Sequence, residues 1–240
     1  MTDSLHRMFT SVPRRYDRVN RIVTLGLDQG WRRKAAKLCL EGSPRRILDL
    51  CAGTGDMSIA LAKEAPPGVE IVAGDFVEPM LVAARGKARL EGVEDRICFE
   101  LVDAGDLPYE DGAFDAVVIA FGFRNLTHEN PRAERHLAEM ARVVAGGGRV
   151  VVVESSQPKN ALVRTGFRVF LKGFVGPVGA LISREPGAYR YLTGSVRDYL
   201  DADGVKSLLE SADFEGVEYS RLLGGAAAIH WGRRQATDQR

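Results

Sequence analysis

The run Ile47-Leu48-Asp49-Leu50-Cys51-Ala52-Gly53-Thr54-Gly55-Asp56-Met57 constrains this chain more than any other stretch. An apolar strand ends there in an acid, a tight glycine turn and the first residues of a helix. Glycine lets bare backbone N–H groups approach a small polar ligand, because no side chain blocks the way. The arrangement predicts a cofactor loop at the carboxyl end of the first strand of an open α/β sheet.

Two cofactor classes use such a loop. The dinucleotide fingerprint G-x-G-x-x-G needs a third glycine for close helix–strand packing, and Ser58 stands in its place. The D-x-x-x-G-x-G pattern of S-adenosylmethionine (SAM) enzymes is met by Asp49, Gly53 and Gly55. A second strand over 69–75 ends in Asp75, a carboxylate suited to both hydroxyls of a ribose. Nicotinamide enzymes use the same acid, and an Asp there can also cap the helix that begins near Pro79. A third strand over 97–102 delivers Asp103 and Ala104, an acceptor and a small apolar wall for an adenine, or simply a turn. Three acids brought to one sheet edge favour a SAM pocket over a nicotinamide site.

The remaining pattern predicts a single domain. Residues 1–43 read as a helical cap, with Leu27, Trp31, Ala35 and Leu38 on its inner face and Arg32 mostly elsewhere. A buried strand over 114–120 follows, then a helix over 132–144 that stops at Gly146-Gly147-Gly148, then a strand over 149–154. Residues 157–198 form an insertion, read as a lid. A helix over 203–212 and two strands flanking Gly224-Gly225 close the chain as an antiparallel edge hairpin. The expected fold is therefore α/β, a doubly wound seven-stranded sheet of the class I SAM-dependent methyltransferase type.

Charge and cysteine content narrow the function. With 33 Lys and Arg against 32 Asp and Glu there is no global basic field, so nucleic acid is not an expected partner. Cys39, Cys51 and Cys98 form neither a disulfide framework nor a zinc spacing, so no metal is expected and a reducing cytoplasm fits. The first residues lack the apolar core of a secretory signal, and no uncharged run reaches membrane-spanning length. The apolar stretch 167–182 is broken by Arg168, Lys172 and Pro177, and peripheral contact with a membrane stays open. Association into a homodimer stays open.

Longer words carry a resemblance. Tyr16-Asp17 with Asn20, Trp31-Arg32, the Gly53-Thr54-Gly55-Asp56 loop, Phe121-Gly122-Phe123-Arg124-Asn125-Leu126, Gly146-Gly147-Gly148-Arg149 and Tyr189-Arg190-Tyr191-Leu192 with Ser195 occur in order. Together they resemble the ubiquinone/menaquinone biosynthesis C-methyltransferases (the UbiE/MenG family). The resemblance implies methyl transfer from SAM to a ring carbon of a prenylated quinol. It places SAM contacts at Thr54, Asp75, Asp103, Ala104 and Ala120, beside the loop residues Asp49, Gly53 and Gly55. Many members carry Ser where Ala120 stands, and His128 replaces an Asp or Asn. The usual Pro-x-Gln before the last long helix is Leu200-Asp201-Ala202 here, read as a capping change.

The expected catalytic residues are Arg124 and Asn125, at the edge where the methyl should lie, and Tyr16 on the cap. Asp17 and Asn20 could close over the quinol, and Tyr189 and Tyr191 could stack on its ring. His128 is a weaker candidate proton acceptor; His136 and His230 read as structural, and Cys51 as a filler beneath the loop. Other readings are a SAM enzyme acting on a phenol oxygen, a sterol or an amine, and a SAM-binding accessory protein without turnover.

Overall fold

The computed structural model describes Asp17, Asn20, Arg21, Thr24 and residues 26–183 and 186–236. Tyr16 therefore lies outside the described residues, and of Tyr189 only the helical backbone is described. Seven strands form one sheet in the order β3-β2-β1-β4-β5-β7-β6. They are β1 (Arg46–Leu50), β2 (Glu70–Asp75), β3 (Ile97–Leu101), β4 (Phe114–Ala120), β5 (Val144–Ser155), β6 (Phe214–Leu222) and β7 (Ala227–Arg234). The first five pair in parallel, whereas β7 runs antiparallel between β5 and the edge strand β6.

Side chains of a strand alternate between faces, and here helices cover both, so central strands are apolar at nearly every position. On one face Leu48, Val117, Ile119 and Val152 pack with Phe123 and Met140. These come from α4 (Phe123–Thr127) and α5 (Ala133–Val143). Ile47, Ile71, Val118 and Val151 point the other way, onto Ala35 and Met57. Those belong to α1 (Asp28–Leu40) and α2 (Asp56–Glu64); α3 (Glu78–Leu90) follows β2 with Pro79 in its first turn.

Two sequence expectations shift, and the insertion gains detail. The buried stripe of α1 is Asp28, Arg32, Ala35, Ala36 and Cys39, so Arg32 faces inward while Leu27 is exposed. The pairing of Arg32 with Asp28 one turn away makes that inward turn tolerable. The triple glycine does not separate helix from strand. It lies inside β5 as an irregularity, where pairing jumps from Phe114↔Val144 to Ala116↔Arg149. The insertion is three helices, α6 (Ala161–Phe170), α7 (Gly176–Ser183) and α8 (Pro186–Asp198), with a wider turn at Leu171–Val175 after the first. The last helix, α9 (Ala202–Glu210), is capped as expected: the Asp201 carboxylate accepts from Gly204 N at 2.9 Å.

Chain order reverses between β1 and β4, and open α/β sheets bind ligands outside the carboxyl ends of strands at that switch point. Two non-glycine residues take left-handed backbone there: Cys51 after β1 and Phe121 after β4, each at φ 62°. Such geometry is unfavourable and gathers at functional sites.

Candidate functional site: a polar crevice beside an apolar groove

The crevice opens at the switch point. Its walls are the glycine loop, Asp75 with Phe76, and the turn Ala120–Gly122. It continues past Cys51, Asp75 and Phe76 into a recess lined by Asp103, Ala104 and Arg132. The sequence-predicted contacts Gly53, Thr54, Asp75 and Ala120 thus meet in one cavity, with Asp103 and Ala104 in its extension.

Gly55 takes φ +80° and caps α2, and a Cβ added to it would sit 2.8 Å from the Ala84 Cβ. Only glycine meets both demands. Gly53 is also left-handed, and a Cβ there would project into open space. That opening is the close approach a ligand needs. Asp49 is a correction. It lies 1% exposed beneath the loop, outside the crevice lining, and its Oδ2 accepts from Ser58 Oγ at 2.5 Å. Burial pushes its carboxyl up to about 7, against the opposing effect of Ser58. The residue that breaks the dinucleotide fingerprint therefore anchors the acid that braces the loop.

Asp75 reaches the crevice wall with its carboxylate already oriented. Gly53 N donates to Oδ2 at 2.8 Å and Val77 N to Oδ1 at 2.9 Å. It therefore fixes the loop and the approach to α3 while lining the cavity. Burial raises its pKa, and the backbone N–H groups oppose that rise. Asp103 is more open. Burial would raise it, but the Gly105 N–H and the Arg132 guanidinium, 2.9 Å away, prevail and hold it below the usual carboxylate range. The crevice thus carries one carboxylate at its middle, Asp75, and a second acceptor, Asp103, beside Ala104 in the recess.

The N-terminal cap is tied to the loop. Thr54 Oγ1 donates to Asp17 Oδ1 at 2.5 Å, and Lys87 Nζ bonds Asp17 at 2.6 Å and Asp56 at 2.7 Å. Asp17 thus turns to the loop, while Asn20 faces the neighbouring groove.

That groove encloses about 800 Å³, part of it open to solvent, and meets the crevice at Phe121, which lines both. Its walls are mostly apolar, with Trp31, Phe167, Phe170 and Val175 among them. Arg124 enters it from α4, and the adjacent Asn125 lines the crevice. Arg124 is 4% exposed. Its backbone N donates to Glu154 Oε2 at 3.0 Å and its guanidinium to Ser195 Oγ at 2.5 Å. Glu154, 1% exposed, supplies the opposing charge 3.9 Å from Nε. Tyr191 on α8 donates to Asn125 Oδ1 at 3.4 Å.

The three described histidines each have a local partner. His136 Nδ1 and His230 Nε2 each lie 2.9 Å from a backbone oxygen, of Leu126 and Ala202, and burial lowers both pKa values. His128 closes α4 with its ring edge-on to Tyr199. Cys51 forms part of the crevice wall rather than only a filler, and burial holds its thiol protonated. Arg32, Phe76, Met80 and Phe121 also line the crevice, and sequence reasoning did not select them. For Phe76 and Met80 the signal was position alone, just after Asp75.

Comparison with solved structures supports the fold. An O-methyltransferase family protein from Burkholderia thailandensis superposes with TM-score 0.65 at 15% identity, over 93% of this chain and 60% of that one. The [4+2]-cyclase SpnF matches with TM-score 0.57 at 18% identity, over 87% and 82%. A cyclase on the same scaffold means that shape alone does not establish the reaction. Sequence comparison is sharper. A demethylmenaquinone methyltransferase from Thermus thermophilus is 46% identical over 95% of this chain and 100% of its own length. One from Deinococcus radiodurans is 42% identical over 97% and 93%. A ubiquinone/menaquinone biosynthesis C-methyltransferase UbiE from Stutzerimonas stutzeri is 36% identical over 94% and 86%. The profile of the ubiE/COQ5 methyltransferase family matches residues 2–234. With relatives matched almost end to end, the chain belongs to the ubiE/COQ5 methyltransferase family.

Proposed function

We propose that this protein is a SAM-dependent methyltransferase that methylates a ring carbon of a prenylated quinol in menaquinone biosynthesis, with demethylmenaquinol as the substrate. The observation that carries the reading is the short turn that walls two unlike cavities. Asn125 faces the polar crevice, Arg124 faces the apolar groove, and Phe121 lines both.

SAM, when bound, supplies a methyl group already activated on a positively charged sulfonium. Asp75 would hold the ribose, Asp103 and Ala104 the adenine, and the Gly53–Gly55 turn the remainder. The enzyme's own work is on the quinol. A phenol with a pKa of about 10 is roughly 0.1% ionised at neutral pH, a deficit of about 4 kcal/mol. Arg124 cannot act as a base, but its guanidinium can donate to a forming phenolate. One charge-assisted hydrogen bond contributes about 1.5–3 kcal/mol, roughly half the deficit. Alignment of the ring carbon with the methyl can contribute about 7–11 kcal/mol. Positioning therefore dominates, and the walls of the groove do most of it by holding the ring and excluding water.

The groove also bears on where the substrate comes from. Phe167, Phe170 and Val175 face inward, whereas Leu162 and Val169 on the opposite side of α6 are 82% and 66% exposed. Residues 155–183 carry Lys159, Arg164, Arg168 and Lys172 and no carboxylate. An apolar stripe flanked by cations suits the surface of an anionic bilayer. Among the described residues no helix is long and apolar enough to cross a membrane. Peripheral contact through α6 would then let a prenylated quinol pass from lipid to groove.

Paired substitutions test the division of labour. Asp75→Ala should weaken SAM binding measured by calorimetry, and Arg124→Ala should lower kcat while leaving that binding within about twofold. Unchanged SAM affinity in Asp75→Ala would reject the ribose assignment, and full turnover in Arg124→Ala would reject the phenolate role.

A further inference from the structure

Arg32 is a buried cation with two acidic neighbours and an Nε that no hydrogen bond satisfies. It projects from α1 into the crevice beside Thr54 and Asp56 and is 6% exposed. Its Nε lies 3.6 Å from Asp28 Oδ2 and 4.0 Å from Asp56 Oδ2, beyond hydrogen-bond reach. That Nε has no hydrogen-bond partner. The Phe121 ring, 5.2 Å from Cζ, covers one side.

The two nearby carboxylates are held elsewhere. Asp28 accepts from Thr24 Oγ1 at 3.0 Å and from Gln29 Nε2 at 3.1 Å. Asp56 is drawn to Lys87 at 2.7 Å. Arg124 and Arg149 also carry an unpaired Nε, but each satisfies another donor, with Ser195 and with Glu41 at 2.9 Å. A buried donor left unpaired bears the cost of its lost water. A guanidinium meets a carboxylate through two parallel hydrogen bonds, the pairing this site leaves open. Among the described residues, Arg32 is the one cationic side chain lining the crevice beside the glycine loop.

We propose that Arg32 is the anchor for the carboxylate of the cofactor's methionyl group. The inference rests on the crevice being a SAM site and adds a subsite to it. Asp103 and Ala104 lie in the recess on one side of Asp75, and Arg32 lies in the part of the crevice on the other. If the first pair takes the adenine and Asp75 the ribose, the amino-acid end reaches Arg32. No other residue of the set could neutralise an anion there.

The test compares two ligands that differ in one group, SAM and its decarboxylated form, by calorimetric titration of wild type, Arg32→Gln and Arg32→Lys. Wild type should bind SAM at least tenfold more tightly than the decarboxylated ligand. Arg32→Gln should lose roughly 10- to 100-fold in SAM affinity and bind the decarboxylated ligand as well as wild type, or better. Arg32→Lys, which keeps the charge but not the planar fork, should fall between them. Equal losses for both ligands in Arg32→Gln would make Arg32 a structural residue and overturn the proposal. A wild type that binds both ligands alike would overturn it without any variant having to fold. A wild type that binds neither would instead remove the SAM reading itself, a result distinct from either.

Discussion

Replacing Gly55 by alanine isolates two costs that the structure lets one separate. Gly55 holds φ +80°, and an added Cβ would lie 2.8 Å from the Ala84 Cβ and 3.3 Å from its Cα. A left-handed L-residue costs roughly 1–2 kcal/mol. Forcing a methyl into a filled contact costs roughly 1–3 kcal/mol. Gly55→Ala should therefore lower stability by about 2–5 kcal/mol, a large share of the roughly 5–15 kcal/mol that holds a domain together. Ala84 is buried inside α3, so Ala84→Gly alone should cost about 2 kcal/mol, from helix propensity and a lost methyl. The double variant removes the overlap but keeps the backbone strain. It should be more stable than the summed single effects by about 1–3 kcal/mol. Urea unfolding of all four proteins measures this, with midpoints read at constant m. Losses that add to within about 0.5 kcal/mol would refute the claim that the loop presses on α3 at this point. The same variants should bind SAM less tightly, because Gly53 and Thr54 move with Gly55.

Two further outcomes are expected. Asp49 keeps its proton up to about pH 7 in the folded chain, whereas the unfolded chain loses it near pH 4. Between these values the folded state binds the extra proton, so its stability declines as pH rises from about 4 to about 7. The gap corresponds to roughly 4 kcal/mol as an upper figure. Asp49→Asn, which can still accept from Ser58, should flatten that slope and be more stable than wild type at pH 8. An unchanged slope in pH-dependent urea melts would contradict the assignment to Asp49. For the membrane face, Leu162→Asp with Val169→Asp should abolish flotation with anionic vesicles while leaving turnover of a short-chain, water-soluble quinol intact. Equal flotation with zwitterionic vesicles, or in the double variant, would remove the bilayer role of α6.

Much of the sheet and crevice was legible because its signals are local. Apolar runs ending in Asp49 and Asp75, glycines at fixed spacing and Pro79 at a helix start each depend on a few adjacent residues. What escaped depends on contacts between distant segments. Arg32 looked like a solvent-facing charge, because helical periodicity records hydrophobicity and not the acid waiting at Asp56. Phe121 lines both cavities from a left-handed position just after β4, which a phenylalanine does not announce. Asp49 read as a ligand contact because strand-end acids often are. The Ser58 hydroxyl, packed back from α2, turned it into a brace. The triple glycine read as a stop and proved to be an irregularity inside β5, since pairing with β4 resumes only at Arg149. Among the catalytic expectations, Arg124 and Asn125 fell together at the junction of the two cavities, and Tyr16 lies outside the described residues.

The most direct test is to supply reduced demethylmenaquinone with SAM carrying a carbon-13 methyl and to read the product by NMR. Transfer to the open ring carbon, with the label appearing as an aryl methyl, is the predicted result. Label on oxygen or nitrogen, or none on any quinol despite tight SAM binding, would contradict the account.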